Sequence, residues 1–333
     1  MIAGKKSHTT PMSLIRDMSR KHTNYLTFTA LVLVLGILTR GQGLKYDSIQ
    51  NLVIAEAVRS FTALGVGMII ITRGIDLSIG YVICLTTSIA ASFAQNADYT
   101  SAMYPGVDFP LWLPILAAIC VGMIVGAFNG ILVAYAKLPP FIATLGTLSL
   151  ARGAQLIYTQ AKVVGSLKDS YKHIAQGTIG PIPHLVIYVI IAAFVVWLIL
   201  NHTRLGANLY AIGGNPQAAR VAGIHVERDI VFVYTFAGMM YGIGGALMAS
   251  RLGLANSLTG NGMELDAIAA VTIGGISQTG GVGTMGGMIV GVLTLGIINY
   301  GMTYLGIDSY YQLLMKGAII IIAVFFDMRK HAR

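Results

Sequence analysis

The sequence predicts an all-α integral membrane protein of about ten transmembrane helices, some of them broken by glycine. Three observations carry that expectation. Only 11% of the 333 residues are charged, against about 25% in a soluble domain. Hydrophobic residues make up 55% of the chain and the mean hydropathy is +0.73. Apolar runs recur at about the twenty-residue length that a bilayer-crossing helix requires.

The runs lie at 24–40, 49–72, 76–95, 111–136, 141–160, 185–201, 228–250, 264–280, 282–303 and 311–327. The first follows a basic, polar arm over 1–23, and no small-residue cleavage site comes after it, so the arm is expected to stay in the cytoplasm. The second carries Glu56 and Arg59 one helical turn apart. The third is separated from it only by "ITRGIDLSIG", 71–80, which sets Arg73 and Asp76 between two glycines. The fourth repeats Gly122, Gly126 and Gly130 at a spacing that lets helices approach closely. The fifth holds a lone Arg152. The sixth, "LVIYVIIAAFVVWLIL", has no charge. The eighth and ninth flank a second glycine-rich break, "TIGGISQTGGVGTMGG", 272–287, and the tenth holds Lys316. A broken segment in each half is the pattern of an internal repeat. The region 264–303 leaves room for one span more or fewer.

Orientation follows from the basic residues. Lys5, Lys6, Arg16, Arg20 and Lys21 precede the first run; Arg329, Lys330 and Arg333 follow the last. Both termini are therefore expected in the cytoplasm, with a single permease domain over 24–327, a tail over 328–333 and a cytoplasmic loop over 202–227. The segments 96–110 and 161–184 are then outside. The formal charge of +9 is divided among termini and loops, which excludes a nucleic-acid patch. Cys84 and Cys120 both fall in apolar runs, without disulfide or metal spacing.

The breaks carry the functional signal. Charge and non-helical backbone at membrane depth are tolerated only where they are buried in protein or line a watery cavity. Arg73 and Asp76 are expected either to pair at a membrane face or to line a polar pathway. Candidates for that pathway are Arg73, Asp76, Ser78, Asn129, Glu264 and Asp266. "GVGTMG", 281–286, matches a dinucleotide fingerprint but lies among spans, without the strand and acid that such a site requires. No GxxxxGK[ST] occurs, so the chain has no phosphate-binding loop of that kind. No paired catalytic set points to an enzyme.

The loop "NHTRLGANLYAIGGNPQAARVAGIHVER", 201–228, contains helix punctuation: Asn215 as cap, Pro216 at the first helical position and Gly223 as terminator. A two-turn helix is expected from Pro216 to Ala222. Its small residues Ala218 and Ala219 would let a partner come close.

Four stretches, "ITRGIDLSIG", "LPPFIATLGT", "AIGGNPQAARVAGI" and "ELDAIAAVTIGGISQTGGVGT", together resemble permeases of bacterial ATP-binding cassette importers for sugars, of ribose, xylose, arabinose and galactose type. The C-terminal run "INYGMTYLGIDSYYQLLMKGAIIIIAVFFD" looks closest to the galactose/methyl-galactoside group. The resemblance implies a type II importer-like fold in the bacterial inner membrane. It implies a second permease subunit, a homodimer being expected, a periplasmic sugar-binding protein, and a cytoplasmic subunit that binds ATP and Mg; this chain would hold no cofactor. It places Asn215, Pro216, Gln217, Ala218, Ala219, Arg220 and Gly223 in the contact with the ATPase. The cargo implied is galactose, glucose or a methyl galactoside. The competing reading is an ion-coupled secondary transporter, for which Asp76, Glu264 and Asp266 would be the intramembrane carboxylates.

Overall fold

The computed structural model describes residues 23–331; the basic arm over 1–22, with its topology signal, and the last two residues lie outside the described residues. Each of the ten apolar runs carries one helix. They are α1 (Thr23–Leu38), α2 (Tyr46–Ile71), α3 (Ile79–Phe93), α4 (Trp112–Ala134), α5 (Pro140–Thr159), α7 (His184–His202), α10 (Val226–Leu252), α11 (Met263–Ile273), α12 (Met285–Tyr304) and α13 (Ser309–His331). Between them lie α6 (Asp169–Gln176), a two-stranded hairpin of β1 (Thr178–Ile179) and β2 (Ile182–Pro183), and the short helices α8 (Arg204–Gly214) and α9 (Pro216–Val221).

The helices are not ten equal spans. Six are long and apolar enough to cross a membrane: α2, α4, α7, α10, α12 and α13. Helices α1 and α3 are apolar but only 16 and 15 residues long, about 23 Å. Helix α5 has the length, but Thr144, Thr147, Arg152, Gln155 and Thr159 dilute its hydropathy. Helix α11 stops after 11 residues. There the chain turns through Gly275 at φ +90°, and the Ile276 N–H closes back on the Val271 carbonyl at 2.9 Å. The apolar run over 264–280 is thus a half-length helix followed by a loop.

Packing sets α3 and α10 at the centre. Nearly all of α3 is buried. Helices α4 and α10 meet backbone to backbone. A Cβ on Gly126 would fall well inside 3.0 Å of the Tyr234 carbonyl oxygen, and one on Gly122 would do the same at Gly238. The four-residue spacing is therefore an internal seam of one chain: with no side chain between them, the two helices gain dispersion contact along several turns.

The connections gather at two ends. At one end the Asn96 N–H donates to the Ser166 carbonyl at 2.9 Å, Val164 and Ala255 exchange backbone hydrogen bonds at 2.9 and 2.8 Å, and the Tyr46 hydroxyl donates to the Pro181 carbonyl. At the other, the Gly281 N–H donates to the Ile71 carbonyl at 2.8 Å and Lys137 pairs with Glu227 at 2.8 Å. The amide of Asn24 donates to the Gly274 carbonyl there at 2.6 Å. The two glycine-rich breaks touch each other at this second end.

Candidate functional site

The break after α2 begins with a helix cap. Arg73 is left-handed at φ +66°, and the Gly74 N–H reaches back to the Ile69 carbonyl at 3.0 Å. Arg73 and Asp76 do not pair. The guanidinium donates from Nε to the Gly213 carbonyl and from an Nη to the Gly214 carbonyl, both at 2.6 Å. These carbonyls close α8, where the last-turn acceptors and the negative end of the helix dipole favour a cation.

Asp76 is 1% exposed. Its Oδ1 accepts from the Ser78 N–H at 2.9 Å and from the Ser78 hydroxyl at 2.6 Å. The Ser78 oxygen in turn accepts from the Asn129 amide at 3.0 Å. Residues 72–78 therefore climb from the end of α2 back into the protein, and this chain of hydrogen bonds fixes where α3 starts. Three of the six pathway candidates come together here.

The other candidates lie elsewhere. The Glu264 carboxylate sits against Gly80, and its Oε2 is buried without a hydrogen-bond partner among the described residues. Asp266 belongs to a separate ion network: Lys316 lies 2.9 Å from its Oδ1, Arg59 3.4 Å from its Oδ2, and Arg59 also holds Glu56 at 2.5 Å. Glu56, Arg59 and Asp266 line a small cavity together with Ala267, Ala270, Val292, Leu295 and Asn299. The sequence shows Glu56–Arg59 one turn apart and a lone Lys316, but not that Asp266 joins them. Among the described residues no group of His, Cys, Asp or Glu is placed to hold a metal.

In the 202–227 loop, Asn215 caps α9 as expected from its type: its Oδ1 accepts from the Gln217 and Ala218 N–H groups at 3.0 and 3.1 Å. Pro216 is the first helical residue and Gly223, at φ +86°, follows the end. The helix ends at Val221, one residue before the expected Ala222. The facing of Ala219 corrects the sequence reading. It is 4% exposed and packs inward on Ile212 and Val226. The outward side is formed by Gln217, Ala218, Arg220, Ala222 and Val221, the last 91% exposed. Arg220 pairs with Glu227 at 2.6 Å, and Lys137 binds the same carboxylate oxygen, bracing α9 against the turn after α4.

Replacing Asp76 with alanine strips the Ser78 N–H and hydroxyl of their acceptor in a buried setting. Each orphaned group costs about 1–3 kcal/mol. Asp98, exposed in the loop after α3, costs no more than about 0.5 kcal/mol when replaced. Asp76→Ala is expected to lower membrane abundance and uptake well below Asp98→Ala, read by detergent size-exclusion profile and transport assay. Equal behaviour of the two would place Asp76 outside any essential packing.

The family described as branched-chain amino acid transport system / permease component matches residues 48–324. The galactose/methyl galactoside import permease protein of Haemophilus influenzae is 39% identical over 95% of this chain and 96% of its own length. That of Escherichia coli K12 is 39% identical over 86% of this chain and 88% of its own. The ribose import permease protein of Bacillus subtilis is 38% identical over 92% of each. No solved structure matches the chain.

Proposed function

The chain belongs to the family of branched-chain amino acid transport system permease components, and from that premise we propose that it is the membrane subunit of an ATP-driven importer carrying galactose or a methyl galactoside. The observation that carries this reading is the near full-length similarity to galactose/methyl galactoside permeases in two organisms. A permease is a transport component and not itself an enzyme; hydrolysis of ATP with Mg falls to a separate cytoplasmic subunit. A periplasmic sugar-binding protein delivers the cargo, and a second copy of the permease completes the pathway.

In this reading the chain crosses the inner membrane ten times, with the irregular segment 253–262 and α11 together making one broken crossing. Support comes from the two sets of end contacts, which sort alternate connections to opposite ends of the bundle. The break pair over 72–78 and 274–284 would be the remnant of an internal repeat; each opens on a left-handed residue, Arg73 and Gly275. Both termini, together with α8 and α9, lie on the cytoplasmic side. A cysteine at Ser170 is then labelled by an impermeant thiol reagent applied from outside, and one at Gln217 is not; the reverse pattern overturns the orientation.

The test of function is reconstitution. The permease with its ATPase and binding protein in proteoliposomes takes up galactose only with ATP enclosed. Uptake by the permease alone, driven by a proton or sodium gradient, would instead establish the secondary-transporter reading, for which Asp76, Glu264 and Asp266 are the carboxylates.

A further inference from the structure

Two helices begin inside the protein rather than at its ends. Helix α3 starts after the climbing segment 72–78. Helix α11 starts after the irregular segment 253–262, which descends along α3: the Cys84 thiol donates to the Asn256 carbonyl, and Gly260 packs on the Gly80 carbonyl. The two helix starts therefore meet at one depth. Arg152 reaches the same level, since it lies roughly 18 Å along α5 from Pro140. Its guanidinium carbon is 5.2 Å from the centre of the Tyr81 ring. The Tyr81 hydroxyl points to the Asn261 Oδ1 at 3.5 Å, the outer limit of a hydrogen bond, and Glu264 lies against Gly80 beside it.

Arg152 and Asn261 are exposed in the single chain, as is Ser149 one turn before Arg152. Arg152 has no carboxylate partner among the described residues. A cation facing lipid near the bilayer centre is costly, and irregular backbone such as 256–262 is accommodated at that depth only beside protein or water. The face formed by Arg152, Tyr81, Asn261 and Glu264 therefore meets water or protein rather than lipid, and a transport pathway flanked by a second permease copy supplies both. The face offers unused donors, the guanidinium and the Asn261 amide. The Asn261 Oδ1 is an exposed acceptor beside them, while the Glu264 Oε2 stays buried behind the face, against Gly80. The Tyr81 ring supplies an apolar edge. A guanidinium and an amide around the edge of an aromatic ring suit a neutral, hydroxyl-rich solute, whose hydroxyls both donate and accept while its ring face packs on the tyrosine.

We propose that Arg152, Tyr81, Asn261 and Glu264 form a transit site at mid-membrane depth that binds a monosaccharide through its hydroxyls as it passes. This rests on the import reading above. Because the groups converge from α5, α3 and the start of α11, relative movement of these elements opens and closes the site, so a solute is held only while they are together.

The test uses the assembled importer in proteoliposomes, with labelled galactose and, separately, leucine. Parent complex that takes up neither, or takes up galactose without ATP, refutes the import reading itself. Parent complex that takes up leucine and not galactose refutes the cargo named in the import reading and the sugar site with it. With galactose carried by the parent, Asn261→Ala, Glu264→Gln and Arg152→Leu are each expected to lower uptake per folded permease by about tenfold or more, and to raise the ATP hydrolysed per sugar carried. A permease merely destabilised loses both activities together. Asn261→Ala removes an exposed side chain and so remains informative if a charge variant fails to fold. In a Cys120→Ala chain, Asn261→Cys is expected to react with an impermeant thiol reagent, more slowly when galactose is present during turnover. Absence of labelling, or uptake by Asn261→Ala and Glu264→Gln equal to the parent, overturns the site.

Discussion

Gly126→Leu is expected to leave little or no folded permease in the membrane. Gly126 meets the Tyr234 carbonyl oxygen of α10 so closely that even a methyl carbon would fall well inside 3.0 Å. The obstacle is main chain, which cannot rotate away as a side chain does. Helices α4 and α10 must separate to admit the residue, and the contacts at Gly122, Gly130 and Gly238 along the same seam loosen with it. Overpacking a well-packed core costs typically about 1–3 kcal/mol. Here the damage extends over several turns, so the loss reaches or passes the upper end of that range. Tyr234 adds to it: its hydroxyl donates to the Ile75 carbonyl at 3.0 Å, so displacing α10 also pulls on the segment that positions α3. The control is Gly317→Leu in α13, where a new Cβ meets nothing within 4 Å. Monodisperse, heat-stable Gly126→Leu protein at parent abundance would show that the seam is adjustable and the close approach dispensable.

How far the sequence foretold these features depends on the range over which each is encoded. The apolar runs are local signals, and every run except 264–280, whose helix stops at Ile273, contains a helix whose limits fall within a few residues of the run. The glycine seam was legible because small residues four apart can serve few purposes in a membrane helix. Asn215, Pro216 and Gly223 were legible as punctuation for the same reason: cap chemistry acts within three residues. Features made by distant residues were not. The partners of Arg73 lie 140 residues away, and its near neighbour Asp76, the obvious choice in sequence, is occupied by Ser78. Lys316 is 50 residues from Asp266. The segment 253–262, polar and rich in glycine, has the composition of an outer loop; only its packing along α3 carries it inward. Ala219 failed as an indicator of the outer face because a six-residue helix has too few turns to display a periodicity.

Val221→Asp on α9 is expected to abolish uptake while leaving the permease inserted and folded. In the isolated chain Val221 is 91% exposed, an apolar side chain beside Ala218 and Ala222 on the outward side of a braced helix. If α9 seats in the ATPase, burying that valine stabilises the contact by about 1.5–3 kcal/mol. An aspartate there loses that gain and adds the cost of desolvating a charge with no designated partner, several kcal/mol in a buried interface. Since about 1.4 kcal/mol is tenfold in affinity, the ATPase should dissociate during purification or hydrolyse ATP without transport. Nothing inside the permease is touched, so its abundance and detergent profile should match the parent. Ala219→Trp is the opposite case. Its ring must enter the space held by Ile212 and Val226, so it should lower the stability of the loop itself and release α9 from the Arg220–Glu227–Lys137 brace. Two variants two residues apart thus separate docking from folding. Parent-level uptake by Val221→Asp, in a complex that still retains its ATPase, would remove α9 from the transmission of movement between the subunits.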